Sequence, residues 1–238
     1  MAGELRIPDT VVSFNLEVGR GSEEAIESIR RLLDDQPSTD VLCLQEAENY
    51  AADLRKAFEG GWNFYAKEGW VESQNCPVMV RKQSGFPPRT FGRGWGVVRN
   101  YTNWTGPLYG KEHPGRTWTW VKAGQVYVMS LHRCTEGKDK NQRAYKEEAT
   151  KLSLFMTMRT GKPLIIIGDT NTAPRAAHSG SMREIASQVG GRLVWDDREM
   201  SVDYALVSRE VHGDVRRTES YGSDHKAAVM KKIWIKSE

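Results

Sequence analysis

Short apolar runs that end in polar residues recur along this chain. Runs of this length predict buried strands. Four of them are VVSFN (11–15), DVLCLQE (40–46), VYVMSLH (126–132) and LIIIGDTN (164–171). Between them lie segments with helical periodicity, and the alternation of helices and strands favours a mixed α/β (α+β) fold in a single domain over residues 1–238.

Four of the intervening segments are predicted to be helices. Ser22 is placed to cap a helix over 22–35, and Ser181 with Glu184 forms a capping box for a short helix that ends at Gly190. Two further helices are predicted at about 48–59 and 139–160. The stretch 83–116 is rich in Gly, Pro and Arg, which predicts long loops around short strands.

Polar side chains at several strand ends can converge on one rim of a sheet. The four runs end in Asn15, Glu46, His132, and Asp169 with Asn171. Two later segments, VDYALVS (202–208) and GSDH (222–225), add Asp203, Asp224 and His225. Carboxylates, amides and imidazoles suit a hard metal ion combined with acid–base chemistry. Taken singly, each residue has an ordinary alternative as a turn residue or a solvated surface group.

The order of these segments resembles the signature of the endonuclease/exonuclease/phosphatase superfamily, the DNase I-like metal phosphodiesterases. That signature is a strand ending in Asn, then LQE, a strand ending in His, GDxN, an Asp before an apolar strand, and SDH. All of these elements occur here in that order, from Asn15 to His225. The resemblance implies a four-layer α/β/β/α sandwich with the site at one rim of two packed sheets.

The resemblance also implies a role for each motif residue. Asn15, Glu46 and Asp224 would lie at a Mg²⁺ site that could also take Mn²⁺. Asp169 would activate water and Asn171 would contact the phosphate. His225 would contact the phosphate and move protons, with its tautomer fixed by Asp203.

Two positions depart from parts of the family. Abasic-site endonucleases carry Tyr where this chain has His132, which could donate a proton to the leaving oxygen. Thr170 stands where an apolar residue is usual, and we expect its side chain to point away from the site.

Composition limits the cellular setting. The net charge is +3, too small to indicate a nucleic-acid binder without local clustering. There is no apolar stretch of about 18 residues and no basic-then-apolar N-terminal pattern. Of three cysteines, Cys43 lies in an apolar strand and is expected in the core. We expect a cytoplasmic monomer that does not bind membranes.

Basic and aromatic residues interleave between Phe86 and Lys122. This mixture suits contact with single-stranded or distorted nucleic acid, and it makes Arg89, Arg93 and Arg99 candidate substrate-binding residues. Trp118 and Trp120 alternate along a strand, so a core position is the alternative for them.

We therefore predict a Mg²⁺-dependent phosphodiester hydrolase, with DNA favoured over RNA as substrate. One alternative is a phosphoesterase acting on a phospholipid or an inositol phosphate. Another is a nucleic-acid-binding module on the same fold that has lost catalysis, although every catalytic element is present in the sequence.

Overall fold

A computed structural model describes residues 6–17, 19–47, 50–66, 76–83, 93–97, 117–133, 140–159, 161–199 and 201–236. Within these ranges, helices and strands alternate along the chain. The elements are β1 (Thr10–Asn15), α1 (Ser22–Asp35), β2 (Val41–Gln45), α2 (Ala51–Phe58), β3 (Trp62–Tyr65), β4 (Val78–Arg81), β5 (Arg93–Val97), β6 (Thr117–Ala123), β7 (Val126–His132), α3 (Lys140–Thr157), β8 (Leu164–Asp169), α4 (Met182–Gln188), β9 (Arg192–Val194), β10 (Asp203–Val207), β11 (Val211–Arg217) and β12 (Ala228–Ile235).

The strands form two six-stranded sheets. The first sheet has the order β11-β12-β1-β2-β4-β3, and the second has the order β5-β6-β7-β8-β10-β9. Each sheet has one parallel pair near its centre, β1 with β2 and β7 with β8. The carboxyl ends of a parallel pair lie at the same edge of its sheet, so the polar residues that follow these strands are brought together.

Apolar side chains fill the space between the sheets and the space under the helices. In β8, Ile165 and Ile167 pack between the sheets, whereas Leu164 and Ile166 pack beneath α3 and α4. The other face of the first sheet packs against α1 and α2. This alternation gives four layers and confirms the α/β/β/α sandwich predicted from the sequence.

The N-terminal cap of α4 is the one predicted from the sequence, whereas the cap of α1 is not. Ser181 accepts a hydrogen bond from Glu184 N at 3.2 Å, as the capping box predicts. At α1, Gly21 is the N-cap, without a side-chain cap bond, and Ser22 is already helical. The prediction of Ser22 as the cap was therefore wrong by one position.

A buried chain of hydrogen bonds joins the two sheets close to the predicted rim. Ser13 Oγ donates to Gln45 Oε1 at 3.0 Å, and Gln45 Nε2 donates to Ser130 Oγ at 3.0 Å. Ser130 Oγ in turn donates to the Leu44 carbonyl at 2.8 Å. Because β1, β2 and β7 are tied together by these bonds, the residues that follow them have fixed relative positions.

Two further expectations concern single residues. Cys43 is fully buried in the core, as predicted, and burial raises the pKa of its thiol. Trp118 and Trp120 pack with the cluster beneath α3 and α4, which supports the core interpretation of this pair. None of the helices in the described ranges combines the length and apolar character needed to cross a bilayer.

Candidate active site

Strand pairing sets the predicted catalytic residues side by side at one rim. In the parallel pair β7–β8, His132 is the register partner of Asp169. In the antiparallel pair β8–β10, Asp169 is the partner of Asp203. In the first sheet, Asn15 at the end of β1 pairs with Gln45, and Glu46 follows directly. Two sheets therefore contribute polar side chains to one site.

Asp169 lies at the centre of this site. Its Oδ2 atom is 3.3 Å from Asn15 Nδ2, 3.4 Å from His132 Nε2 and 3.9 Å from His225 Nε2. Its Oδ1 atom accepts a 2.8 Å hydrogen bond from the backbone N–H of Asn171. The Asp169 side chain is only 3% exposed, so this carboxylate lies among donors with little contact with bulk water.

Glu46 presents a second carboxylate to the same donors. Its Oε1 atom is 3.4 Å from Asn15 Nδ2 and 3.7 Å from His132 Nε2, and the side chain is 20% exposed. Glu46 has a φ of 56° and Asn171 a φ of 50°, which places both in the left-handed region. Such conformations in residues other than glycine cost on the order of 1–3 kcal/mol and concentrate at functional sites.

Asn15 is oriented by the backbone two residues further along the chain. Its side-chain oxygen accepts a 3.0 Å hydrogen bond from Glu17 N, so the amide nitrogen faces Glu46 and Asp169. In this arrangement the amide holds two carboxylates together. Direct metal ligation by the Asn15 oxygen stays a prediction.

His225 and Asp203 form a close acid–imidazole pair. His225 Nδ1 lies 3.1 Å and 3.0 Å from the two Asp203 oxygens. Burial of the ring lowers the pKa of His225, but the hydrogen bond to Asp203 and the negative charges of Asp203, Asp169 and Asp224 outweigh it. The pKa rises from 6.5 to about 9. The carboxylate therefore fixes Nδ1 as the bonded nitrogen and leaves Nε2 toward Asp169.

Asn171 is anchored from the neighbouring strand. Its Nδ2 atom donates to the Arg133 carbonyl at 2.7 Å. Arg133 is fully buried, where its Nε atom lies 3.2 Å from Glu148 Oε2 and Nη1 donates to the Gly180 carbonyl at 3.0 Å. Thr170 Oγ1 lies within hydrogen-bonding distance of the Val202 carbonyl at 2.7 Å and the Thr172 carbonyl at 2.9 Å, so this hydroxyl faces backbone acceptors of its own turn and of the segment before β10.

Asp224 lies at the outer side of the rim, with a side chain that is 63% exposed. Its Oδ1 atom is 3.8 Å from His225 Nε2, and its backbone N–H donates to Glu17 Oε2 at 3.1 Å. Glu17 thus brings another carboxylate to the site. We did not predict Glu17, although its position two residues after Asn15 was a usable signal.

The carboxylate oxygens at this rim fit a hard divalent cation. By distance, ligand atoms of Asp169, Asp203 and His225 lie within 4.8 Å of one another. Asp203 is less available for a metal, because its carboxylate already meets His225, Ser201 Oγ at 3.1 Å and Arg217 Nη2 at 3.3 Å. Glu46 and Asp169, which share contacts with Asn15 Nδ2 and His132 Nε2, are the carboxylates better placed to face a divalent cation.

The predicted substrate-binding arginines are outside this description. Arg89 and Arg99 lie outside the described residues, and Arg93 lies in β5, whose side chains also lie outside them. Arg133 and Arg217 are the arginines that the described structure brings to the site, and no sequence motif pointed to either.

Comparisons with known proteins agree with this geometry. The model of the "Endonuclease/Exonuclease/phosphatase family" matches residues 12–225. No curated protein sequence matches the chain significantly.

Solved structures share the fold at low sequence identity. The human Nocturnin catalytic domain is 16% identical, with a TM-score of 0.65 over 96% of this chain and 95% of that one. An AP endonuclease from Leishmania major is 15% identical, with a TM-score of 0.63 over 93% and 86%. A mannosyl-6-phosphatase from Bacteroides thetaiotaomicron is 17% identical, with a TM-score of 0.61 over 95% and 99%.

Members of the matched family are mostly metal-dependent hydrolases of phosphoester bonds. The family match covers almost the whole span from β1 to His225, and the two-sheet architecture agrees with it. The chain belongs to the endonuclease/exonuclease/phosphatase family.

Proposed function

We propose that this protein is a Mg²⁺-dependent phosphodiesterase that cleaves nucleic acid, with DNA as the favoured substrate. The observation that carries the proposal is the meeting of His132, Asp169 and the Asp203–His225 pair at one rim, next to Glu46. This combination provides a proton acceptor, two imidazoles and oxygen ligands for a cation within one small region.

Asp169 is the residue best suited to activate water. It is an acceptor-only group when ionised, and its geometry is fixed by Asn171 N and Asn15 Nδ2. In this scheme the Asp169 carboxylate accepts a proton from the water as the water oxygen forms its bond to phosphorus. The bond from phosphorus to the leaving oxygen then breaks.

The two histidines act as donors in this scheme. The pKa of about 9 keeps the metal-free His225 ring protonated at neutral pH, so its Nε2–H can bond a phosphate oxygen. His132 is buried beside both carboxylates and can supply the proton that the leaving oxygen takes up. Positioned acid–base groups of this kind typically contribute about 10²–10⁴-fold in rate.

Glu46 and Asp224 would hold the cation, with Asn15 orienting Glu46. A bound Mg²⁺ would supply charge stabilisation for the phosphate and the leaving oxygen. These two residues lie on separate elements, at the end of β2 and in the turn before β12, and both elements belong to the first sheet.

Composition guides the choice of substrate. The basic and aromatic composition of 86–122 favours a polyanionic polymer. The neighbours of similar fold include an AP endonuclease and a mannosyl-6-phosphatase, so a phosphomonoesterase is the second candidate function.

A substrate panel separates these candidates. The panel contains plasmid, single-stranded and duplex oligonucleotides, RNA, a chromogenic phosphodiester and the matching phosphomonoester, each with Mg²⁺ and Mn²⁺. We expect the chromogenic phosphodiester to be hydrolysed, and DNA to be cleaved faster than RNA. Faster turnover of the monoester would replace the proposal with a phosphatase, and preference for an inositol phosphate or phospholipid would replace the polymer substrate.

A further inference from the structure

Arg217, the last residue of β11 in the first sheet, reaches the Asp203 carboxylate of the second sheet. Its side chain is 8% exposed, and Nη2 lies 3.3 Å from Asp203 Oδ2. The same nitrogen donates to the Lys226 carbonyl at 3.0 Å. Lys226 directly follows His225, so one guanidinium nitrogen contacts both the carboxylate that binds the imidazole and the backbone beside that imidazole.

The contact between Arg217 and Asp203 joins the two sheets. Asp203 begins β10 in the second sheet, whereas Arg217 ends β11 in the first sheet. His225 lies in the turn before β12 and follows Ser223, whose Oγ accepts from His225 N at 3.1 Å and donates to the Asn15 carbonyl at 2.8 Å. Arg217 is thus a direct link from the first sheet to the carboxylate that orients His225.

The backbone of Arg217 is itself held in place. Its N–H donates to Asp196 Oδ2 at 3.1 Å, and Arg217 pairs in register with Ala228 of β12. Asp196 also accepts from Arg198 Nε at 2.9 Å and Nη2 at 2.8 Å. A cation buried to this extent is costly unless paired, and Asp203, whose side chain is only 5% exposed, is the carboxylate that Nη2 meets.

We infer that Arg217 is a positioning residue for the Asp203–His225 pair. It holds the Asp203 carboxylate and the backbone at Lys226 at a fixed separation, and this keeps His225 Nδ1 bonded and Nε2 toward the reacting phosphate. The inference rests on the proposed function for its kinetic consequence, but the effect on His225 geometry is independent of any substrate.

Proton NMR of the imidazole tests the geometry directly. A His225 Nδ1–H bonded to a carboxylate should give a downfield resonance that is protected from exchange and missing in His225→Gln. We expect Arg217→Met to lose or broaden this resonance, Arg217→Lys to keep it in part, and Arg216→Met to leave it unchanged. Arg216 is the matched control because it is the exposed neighbour on the same strand.

Steady-state kinetics on the chromogenic phosphodiester tests the consequence. Loss of an orienting partner typically costs about 10–100-fold, and we expect that fall in kcat for Arg217→Met with KM within about twofold, because the residue does not contact substrate. Arg217→Lys should recover part of the loss. Adding Arg217→Met to Asp203→Asn should cost little more than Asp203→Asn alone.

Each result decides between positioning and a purely structural ion pair. An unchanged His225 resonance in Arg217→Met, or a wild-type protein that lacks the resonance, contradicts the inference. A fall in kcat for Arg216→Met as large as the fall for Arg217→Met also contradicts the inference. If the wild type turns over no phosphoester, the proposed function fails, while the NMR comparison still decides the role of Arg217.

Discussion

Glu46 combines a strained backbone conformation with a side chain that faces other residues of the candidate site. Its positive φ turns the side chain from the end of β2 toward Asn15 and His132. The stored strain is tolerated because the adjoining Gln45 is fixed by its hydrogen bonds to Ser13 and Ser130. A carboxylate held this rigidly is suited to bind a cation with little reorganisation.

Replacement of Glu46 by Gln keeps the shape and removes the charge. Loss of a residue that only supports a metal ligand typically costs about 10–100-fold in metal affinity. We expect the apparent Mg²⁺ affinity to fall at least that far, with the thermal midpoint of unfolding nearly unchanged. Mg²⁺ titration of turnover and calorimetry of Mg²⁺ binding measure this. Glu59→Gln, at an exposed position after α2, is the control; equal affinities for both variants would remove Glu46 from the metal site.

Asp203 and His225 should behave as one functional unit. His225→Ala should lower kcat by about 10²–10⁴-fold, and Asp203→Asn should also be severe because it disturbs the bonded tautomer. The double variant should lose little more than His225→Ala alone, as expected for residues that share one role. A double-mutant cycle on the chromogenic diester measures this, and simple additivity would show that the contact is not used in catalysis.

At the scale of elements, Gly168 of β8 has a positive φ and lies against the backbone of β7 at a point where a side chain would not fit. A Cβ atom at Gly168 would lie 1.8 Å from the Leu131 carbonyl oxygen. Gly168 immediately precedes Asp169, and Leu131 precedes His132. The glycine of the GDTN segment therefore lets the strands that carry two site residues pair without a side chain between them.

Gly168→Ala should accordingly be strongly destabilising. Overpacking costs about 1–3 kcal/mol when side chains can adjust, and this clash is with backbone, so we expect the upper end of that range or failure to fold. Chemical denaturation measures the loss. Gly60→Ala, at a position with open space around it, should change stability much less; a Gly168→Ala protein as stable as that control would contradict the close approach.

The sequence predicted the elements whose ends carry the site more fully than the other elements. β1, β2, β7 and β8 are apolar runs buried on both faces, so their polar terminal residues were conspicuous. β11 was missed because VHGDVRR is an edge strand with partly exposed residues and an irregular register between His212 and Asp214. Arg217 was missed with it, since spacing along the chain does not show which side chains meet across two sheets.

At the scale of the whole molecule, the sandwich places the side chains of the candidate site on both sheets. Asn15, Glu46 and His225 come from the first sheet or the turns beside it, and His132, Asp169 and Asp203 come from the second. The geometry of the candidate site therefore depends on how the sheets pack, because a shift between them would separate Asp203 from His225 and Asp169 from Asn15.

The arginines of the 86–116 stretch are expected to act on polymeric substrates only. Replacing Arg89, Arg93 and Arg99 by Ala should raise KM for DNA and flatten its salt dependence, since each lost phosphate contact removes roughly one unit of slope. Turnover of the small diester should be nearly unchanged. Parallel losses on both substrates would place these arginines in support of the fold or the site, and no change on either would remove them from substrate binding.

Metal-dependent cleavage of a phosphodiester is the measurement that tests the central claim most directly. Purified wild-type protein is assayed on the chromogenic diester, with EDTA, and after Mg²⁺ is restored, beside His225→Ala prepared in the same way. We expect turnover that EDTA abolishes, that Mg²⁺ restores, and that His225→Ala lacks. Turnover that resists EDTA, that persists in His225→Ala, or that is absent from the wild type with Mg²⁺ would contradict it.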